Sequence, residues 1–94
     1  MTMTTDAAET VALKILGWLV SNHDLLPVFL DTTGASKEDI RAQASNTDFL
    51  ISILDFISMH DVWVRDCCHA LNLDCSTFLQ VRTSLPGGAH VHWT

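Results

Sequence analysis

Cysteine and histidine are the side chains best suited to bind a metal or exchange electrons, and Cys67, Cys68, His69 and Cys75 fall close together here. His90 and His92 lie further on. A structural zinc site needs converging ligands, commonly supplied by pairs of cysteines about one turn apart. This spacing does not provide them: on a helix, Cys67 and His69 point about 200° apart. The cysteines flank Leu71 on an apolar side with Trp63, Val64 and Ala70, while His69 falls with Arg65 and Asp66 on the polar side. A buried free cysteine behaves as a small hydrophobe, and that is the role the spacing predicts. A metal or thiol sensor built on Cys67, Cys68 and Cys75 is the alternative chemistry. His90-Val91-His92 supplies two ligands in a tail, too few for a closed site.

Two further pairs, His23-Asp24 and His60-Asp61, place an imidazole beside a carboxylate, the elements of acid–base catalysis. Each aspartate also precedes an apolar helical pattern, where its better use is to cap the first N–H groups. No nucleophile stands near either pair. Pro86-Gly87-Gly88 lacks the Lys-Ser/Thr that would make it a phosphate loop, and no Gly-x-Ser-x-Gly elbow occurs. The sequence therefore predicts no catalytic residue, no cofactor and no metal.

Charge narrows the partners. Eleven acids against five bases give a net charge of −6. Lys14, Lys37, Arg41, Arg65 and Arg82 are scattered, each with an acid nearby in sequence. Nucleic acid is held largely by basic side chains on phosphates, so this balance disfavours it, along with anionic membrane surfaces. A helix-turn-helix-like unit can still be drawn over residues 24–45, turning at Gly34 and burying Ile40. It is the nucleic-acid alternative, but its second helix opens Lys37-Glu38-Asp39, where acids would meet the nucleic acid. Three cysteines, an odd number, argue against a disulfide framework. Met1-Thr2-Met3-Thr4-Thr5-Asp6 has no export pattern, and no apolar run approaches the ~20 residues of a membrane span. The chain reads as a cytoplasmic domain with reduced thiols.

The elements that must position these residues are helical throughout, because the apolar spacing is three to four rather than two. The reading is an all-α bundle of five to six short helices: residues 1–5 disordered, 6–86 one helical domain, 87–94 a tail. Helix one spans 7–21, with Asp6 and Glu9 at capping-box spacing. Val11, Ala12, Ile15, Leu16, Leu19 and Val20 turn inward, leaving Lys14, Gly17 and Ser21 as a narrow polar strip on a mostly surrounded helix. Helix two starts at an Asp24 cap, carries Pro27 at its third position, buries Leu25, Leu26, Phe29 and Leu30, and stops at Gly34. Ser36 caps a short third helix facing in with Ile40 and Ala44. The fourth buries Phe49, Leu50, Ile53, Leu54, Phe56 and Ile57, behind a polar strip of Ser52, Asp55 and Ser58. Asp61 opens the fifth, which ends near Asn72. The sixth spans 77–85 and buries Phe78, Val81 and Leu85. Helices one and four should pack as the centre.

A faint repeat joins the two halves. His23-Asp24 and His60-Asp61 lie 37 residues apart, and Gly34 and Asn72, like Ile40 and Phe78, lie 38 apart. Two three-helix units related by a pseudo-twofold axis would produce this, as would the reuse of generic caps.

Three stretches carry a family resemblance. They are Glu9-Thr10-Val11-Ala12-Leu13-Lys14-Ile15-Leu16-Gly17-Trp18-Leu19, Phe49-Leu50 with Leu54-Asp55-Phe56, and the ending Leu85-Pro86-Gly87-Gly88 with His92-Trp93-Thr94. Together they resemble a small family of short alphaproteobacterial proteins described as a domain of unknown function. The likeness covers nearly the whole chain and implies an all-helical cytosolic protein without assigned catalytic residues. The Cys67-Cys68-His69 patch departs from the family's usual look.

Among the tryptophans, Trp18 and Trp63 edge apolar helix faces, and Trp93 lies one residue from the C-terminus. Core packing accounts for the first two, and a latch onto helix one or six for the third. All three are also the candidate partner-binding residues, since tryptophan is enriched at binding hot spots. The functional expectation is a non-catalytic protein-interaction or regulatory module with an unidentified protein partner. A homodimer is compatible with so apolar a short chain.

Overall fold

Ala8, Ala12, Ile15 and Leu19 recur at helical spacing along one stripe, and all are essentially withdrawn from solvent. They belong to α1 (Thr5–Ser21), the axis of an all-α bundle with six helices among the described residues. The computed structural model describes residues 4–85. Five helices follow: α2 (Leu25–Thr33), α3 (Lys37–Gln43), α4 (Thr47–Ser58), α5 (Asp61–Leu71) and α6 (Cys75–Ser84). The small Ala8 and Ala12 let neighbours approach closely, and α1 packs against α2, α4, α5 and α6. The expected pairing of α1 with α4 is present. Leu50, Ile53, Leu54, Phe56 and Ile57 of α4, Phe29 of α2, Ile40 of α3, Cys67 of α5 and Phe78, Val81 and Leu85 around α6 complete the core. No charged or polar side chain is buried among the described residues.

Rings tie three helices together. Phe29 meets Phe49 and Phe56 edge-on at 6.2 and 5.2 Å, Phe56 stacks on Trp63 at 5.0 Å, and His60 meets Trp63 at 4.2 Å. Outside the core, Arg82 on α6 forms an ion pair with Asp55 on α4. Both partners are well exposed, so its worth is at most about 1 kcal/mol.

The helix stops follow the sequence signals. Gly34 ends α2 at φ +74°, and Asn72 ends α5 at φ +57°. Asparagine tolerates this left-handed region better than most residues. The Leu73 N–H donates to the Cys68 carbonyl at 2.7 Å, closing the turn. The starts differ more. Thr4, not Asp6, caps α1: its hydroxyl accepts the Ala7 N–H at 3.1 Å, which leaves Asp6 in the first turn near the positive helix end. Asp24 makes no cap either; the Asn22 side chain accepts from the N–H groups of Asp24 and Leu25, both at 3.0 Å. Asp61 is already helical, with His60 at the cap position. Ser36 caps α3 as expected, and Asp39 returns the bond to the Ser36 N–H at 3.0 Å. Asn46 caps α4 by accepting from Asp48 and Phe49. The α6 helix starts at Cys75, earlier than the expected Thr77.

The supposed repeat is partial. Gly34 and Asn72 are both left-handed stops, and Ile40 and Phe78 are both buried, but neither His-Asp pair supplies a side-chain cap. The surrounded α1 is corrected as well. Val20 is 41% exposed and Leu13 46% exposed, because four neighbouring helices leave one side of α1 open. A Cβ added at Gly17, between them, would meet nothing within 4 Å. Among the described residues, then, no steric need holds a glycine in the middle of this helix.

Substitution separates these contributions in urea unfolding. Phe29→Ala should cost about 3–5 kcal/mol through the cavity it leaves, and Asn46→Ala about 1 kcal/mol through the lost cap. Gly17→Ala should stabilise the isolated chain by up to about 1 kcal/mol. Destabilisation there would show that the glycine serves the fold itself.

Candidate functional site

Among the described residues, three grooves stand out on the bundle surface. The largest, about 500 Å³, lies where α5 and α6 meet the end of α4. Its lining is Ser58, Asp61, Val64, Arg65, Cys75 and Leu79. Asp61 and Arg65 stand one turn apart on α5, so their side chains share one wall. The Ser58 hydroxyl is already engaged, donating to the Leu54 carbonyl at 2.7 Å. Leu79, in the lining, is 62% exposed, and Met59 and Val62, next in sequence to the lining Ser58 and Asp61, are 63% and 56% exposed.

A second groove of about 270 Å³ runs between α1 and α3, over Leu16, Val20, Leu26, Ile40 and Ala44, with Lys37 and Arg41 along its edge. The third, about 300 Å³, includes Phe29, Phe49, Asp39 and Gln43. Asp39 is committed there to the α3 cap. That carboxylate occupies the N-terminal end of α3, the end the nucleic-acid alternative over residues 24–45 would present.

The three candidate tryptophans are not brought together. Trp18 and Trp63 are half-buried and packed against the core. Trp63 is held by Phe56 and His60. Trp18 lies about 140° around α1 from Leu13, away from the open side of that helix. Trp93 and the His90-Val91-His92 segment lie outside the described residues.

The cysteines separate into two classes. Cys67 and Cys68 are buried, as expected, whereas Cys75 is exposed at the start of α6 and lines the largest groove. Its exposure corrects the core role expected for it, and follows from α6 beginning two residues earlier. Ala70, expected on the apolar side, is also exposed. His69 is exposed on the polar side, as expected. Among the described residues, no three His, Cys, Asp or Glu side chains converge as a metal site. No helix among them is long and apolar enough to cross a membrane. Burial, and then the neighbouring Cys68, pushes the Cys67 thiol from the ordinary 9.0 up to about 12. Burial first, then the Cys75 thiol and Asp74, pushes Cys68 up to about 11.

Sequence reasoning missed the grooves because their walls come from helices distant in the chain. Lys37 and Arg41 looked scattered, yet with Ile40 and Ala44 they form one i, i+3, i+4, i+7 stripe of α3. That periodicity was a usable signal.

The thiols give a direct test. In the native protein Cys75 should react with a thiol reagent at once, and Cys67 and Cys68 only on unfolding. The folded state holds the protons of Cys67 and Cys68 where the unfolded chain releases them. Their stabilising contribution is therefore complete below the ordinary thiol value of 9.0 and is lost as pH rises through about 11 to 12. Cys67→Ala should flatten this alkaline loss, read as the urea midpoint against pH.

No curated protein and no solved structure matches the chain. A family model does, over residues 5–88. The match takes in α1 to α6, and with them the Leu-Gly-Trp-Leu element on α1 and the Phe49–Phe56 stretch on α4. The chain belongs to the family described as "Protein of unknown function (DUF3572)".

Proposed function

We propose that this protein is a non-catalytic protein-interaction module that receives an amphipathic helix of a partner protein in the α5–α6 groove. The carrying observation is the exposure of Leu79 in the lining of that groove, with the exposed Met59 and Val62 next in sequence to the lining Ser58 and Asp61. Large apolar side chains gathered on a surface stabilise nothing in the isolated chain and gain free energy only when covered. Methionine adapts its shape to different partners. A cavity of about 500 Å³ has room for several apolar side chains. Helices commonly seat in such grooves through anchors at i, i+3, i+4 and i+7 spacing.

The groove also states the partner's chemistry. Arg65 and Asp61 give one wall a positive and a negative group a turn apart. A partner helix carrying an acidic and a basic residue at matching spacing, beside its apolar anchors, satisfies both. The Cys75 thiol, with no histidine or glutamate among the residues lining its groove, serves here as a wall.

A photo-crosslinking side chain at position 79, compared with one at Val28 on the exposed side of α2, tests this in native lysate. The expected result is one discrete heterologous adduct at position 79, suppressed by excess unmodified protein and not by excess folded Val62→Asp. Equal adducts at both positions, or suppression by Val62→Asp as effective as by the native chain, would overturn the proposal.

A further inference from the structure

The open side of α1 is a different surface from the α5–α6 groove, and its residues follow an ordered sequence. Asp6 and Glu9 come first, then Leu13, Gly17 and Val20, with the buried Leu16 at the border with the core. At about 100° per residue these six lie within roughly 100° of arc, so they form one face. Leu16 and Val20 continue into the second groove, where Lys37 and Arg41 line the edge. The face therefore has an acidic end, an apolar middle and a basic end, with the exposed Thr10 and Lys14 along its far border. Neither Lys37 nor Arg41 forms an ion pair among the described residues, and neither does Asp6 or Glu9.

We propose that this face pairs with itself in a second copy of the chain, α1 against α1 in antiparallel orientation about a twofold axis near Leu13. The spacing favours this occupant. Asp6 and Val20 each lie seven residues from Leu13, about 10 Å along the helix in opposite directions. Antiparallel pairing therefore brings the Asp6 carboxylate of each copy over the other's Val20, beside its Lys37 and Arg41. Glu9 and Gly17, each four residues from Leu13, also come opposite each other. The absent side chain of Gly17 leaves room for the Glu9 stem to pass toward the basic edge. A glycine that costs its own helix about 1 kcal/mol and fills no internal need thereby has a role. One twofold operation satisfies both ends, as an isologous contact requires.

Charge argues against another occupant from this chain. The C-terminal segment 86–94 carries two histidines and no acidic side chain, so it offers little to Lys37 and Arg41. Two copies each bearing −6 repel overall. At 0.15 M salt the screening length is about 8 Å, which weakens that repulsion and spares contacts at a few ångströms. One helix pair with a shared groove edge is a small interface, so the dimer is expected to be weak, with Kd in the micromolar range.

Sedimentation equilibrium of the purified chain from about 5 to 500 μM at 0.15 M salt tests this, with circular dichroism confirming that each variant is folded. Native protein should pass from monomer to dimer across that range. Lys37→Glu with Arg41→Glu should weaken association at least tenfold, as should Asp6→Lys with Glu9→Lys. All four changes together should restore it, which a merely structural role would not. Gly17→Phe should leave a folded monomer. A native chain that stays monomeric to 500 μM overturns the proposal. So does a dimer indifferent to these changes, or one dissociated instead by Leu79→Asp. Tight binding of a duplex DNA or RNA oligonucleotide by Lys37 and Arg41 in place of self-association would also overturn it.

Discussion

Everything in this fold depends on keeping one stripe of α1 dry. Ala8, Ala12, Ile15 and Leu19 are almost wholly buried, and no polar side chain shares the described core with them. The driving force is the release of water from apolar surface, which is non-directional. It collapses the chain without choosing an arrangement. The arrangement comes from side-chain size along that stripe: alanines at its start admit close neighbours, and larger side chains further along fill the remaining space. Four helices meet α1 as a result, and α3 is held chiefly by the buried Ile40.

Directional specification comes from the ends of the helices. Each short helix leaves unpaired N–H groups at its start, and in α1 to α4 these are answered locally by Thr4, Asn22, Ser36 and Asn46. The ends of α2 and α5 turn on residues at positive φ. A bundle of helices between 7 and 17 residues long cannot rely on helix propensity, because isolated helices of this length are marginal in water. Caps fix where those four helices begin, and so which of their residues face the core.

Much of this is legible in the residues themselves. Six helices, their inward faces, the stops at Gly34 and Asn72 and the centrality of α1 and α4 all follow from apolar spacing and turn chemistry. The misread starts share a cause. Asp6, Asp24 and Asp61 each precede apolar runs, but a residue just before each took its capping place, and composition alone does not say which of several nearby polar residues adopts the extended backbone a cap needs. Val20 was misplaced because helical periodicity marks a face as apolar without saying whether the chain has enough helices to cover it. The surfaces were least legible. Leu13, Gly17, Val20, Met59, Val62 and Leu79 acquire significance only from what the other helices leave uncovered, and that is a property of the assembled bundle.

The line of rings from Phe49 through Phe29 and Phe56 to Trp63 and His60 joins α2, α4 and the start of α5. Phe49 and Phe29 border the third groove, and Trp63 precedes Val64 on the wall of the largest. Close-packed interiors resist compression and transmit displacement. A sideways shift of α5 is therefore passed ring to ring into α4 and α2. Because Trp63 sits in this line, its ultraviolet emission, isolated by replacing Trp18 and Trp93, makes the chain its own strain gauge, reading a load placed on either groove without any attached dye.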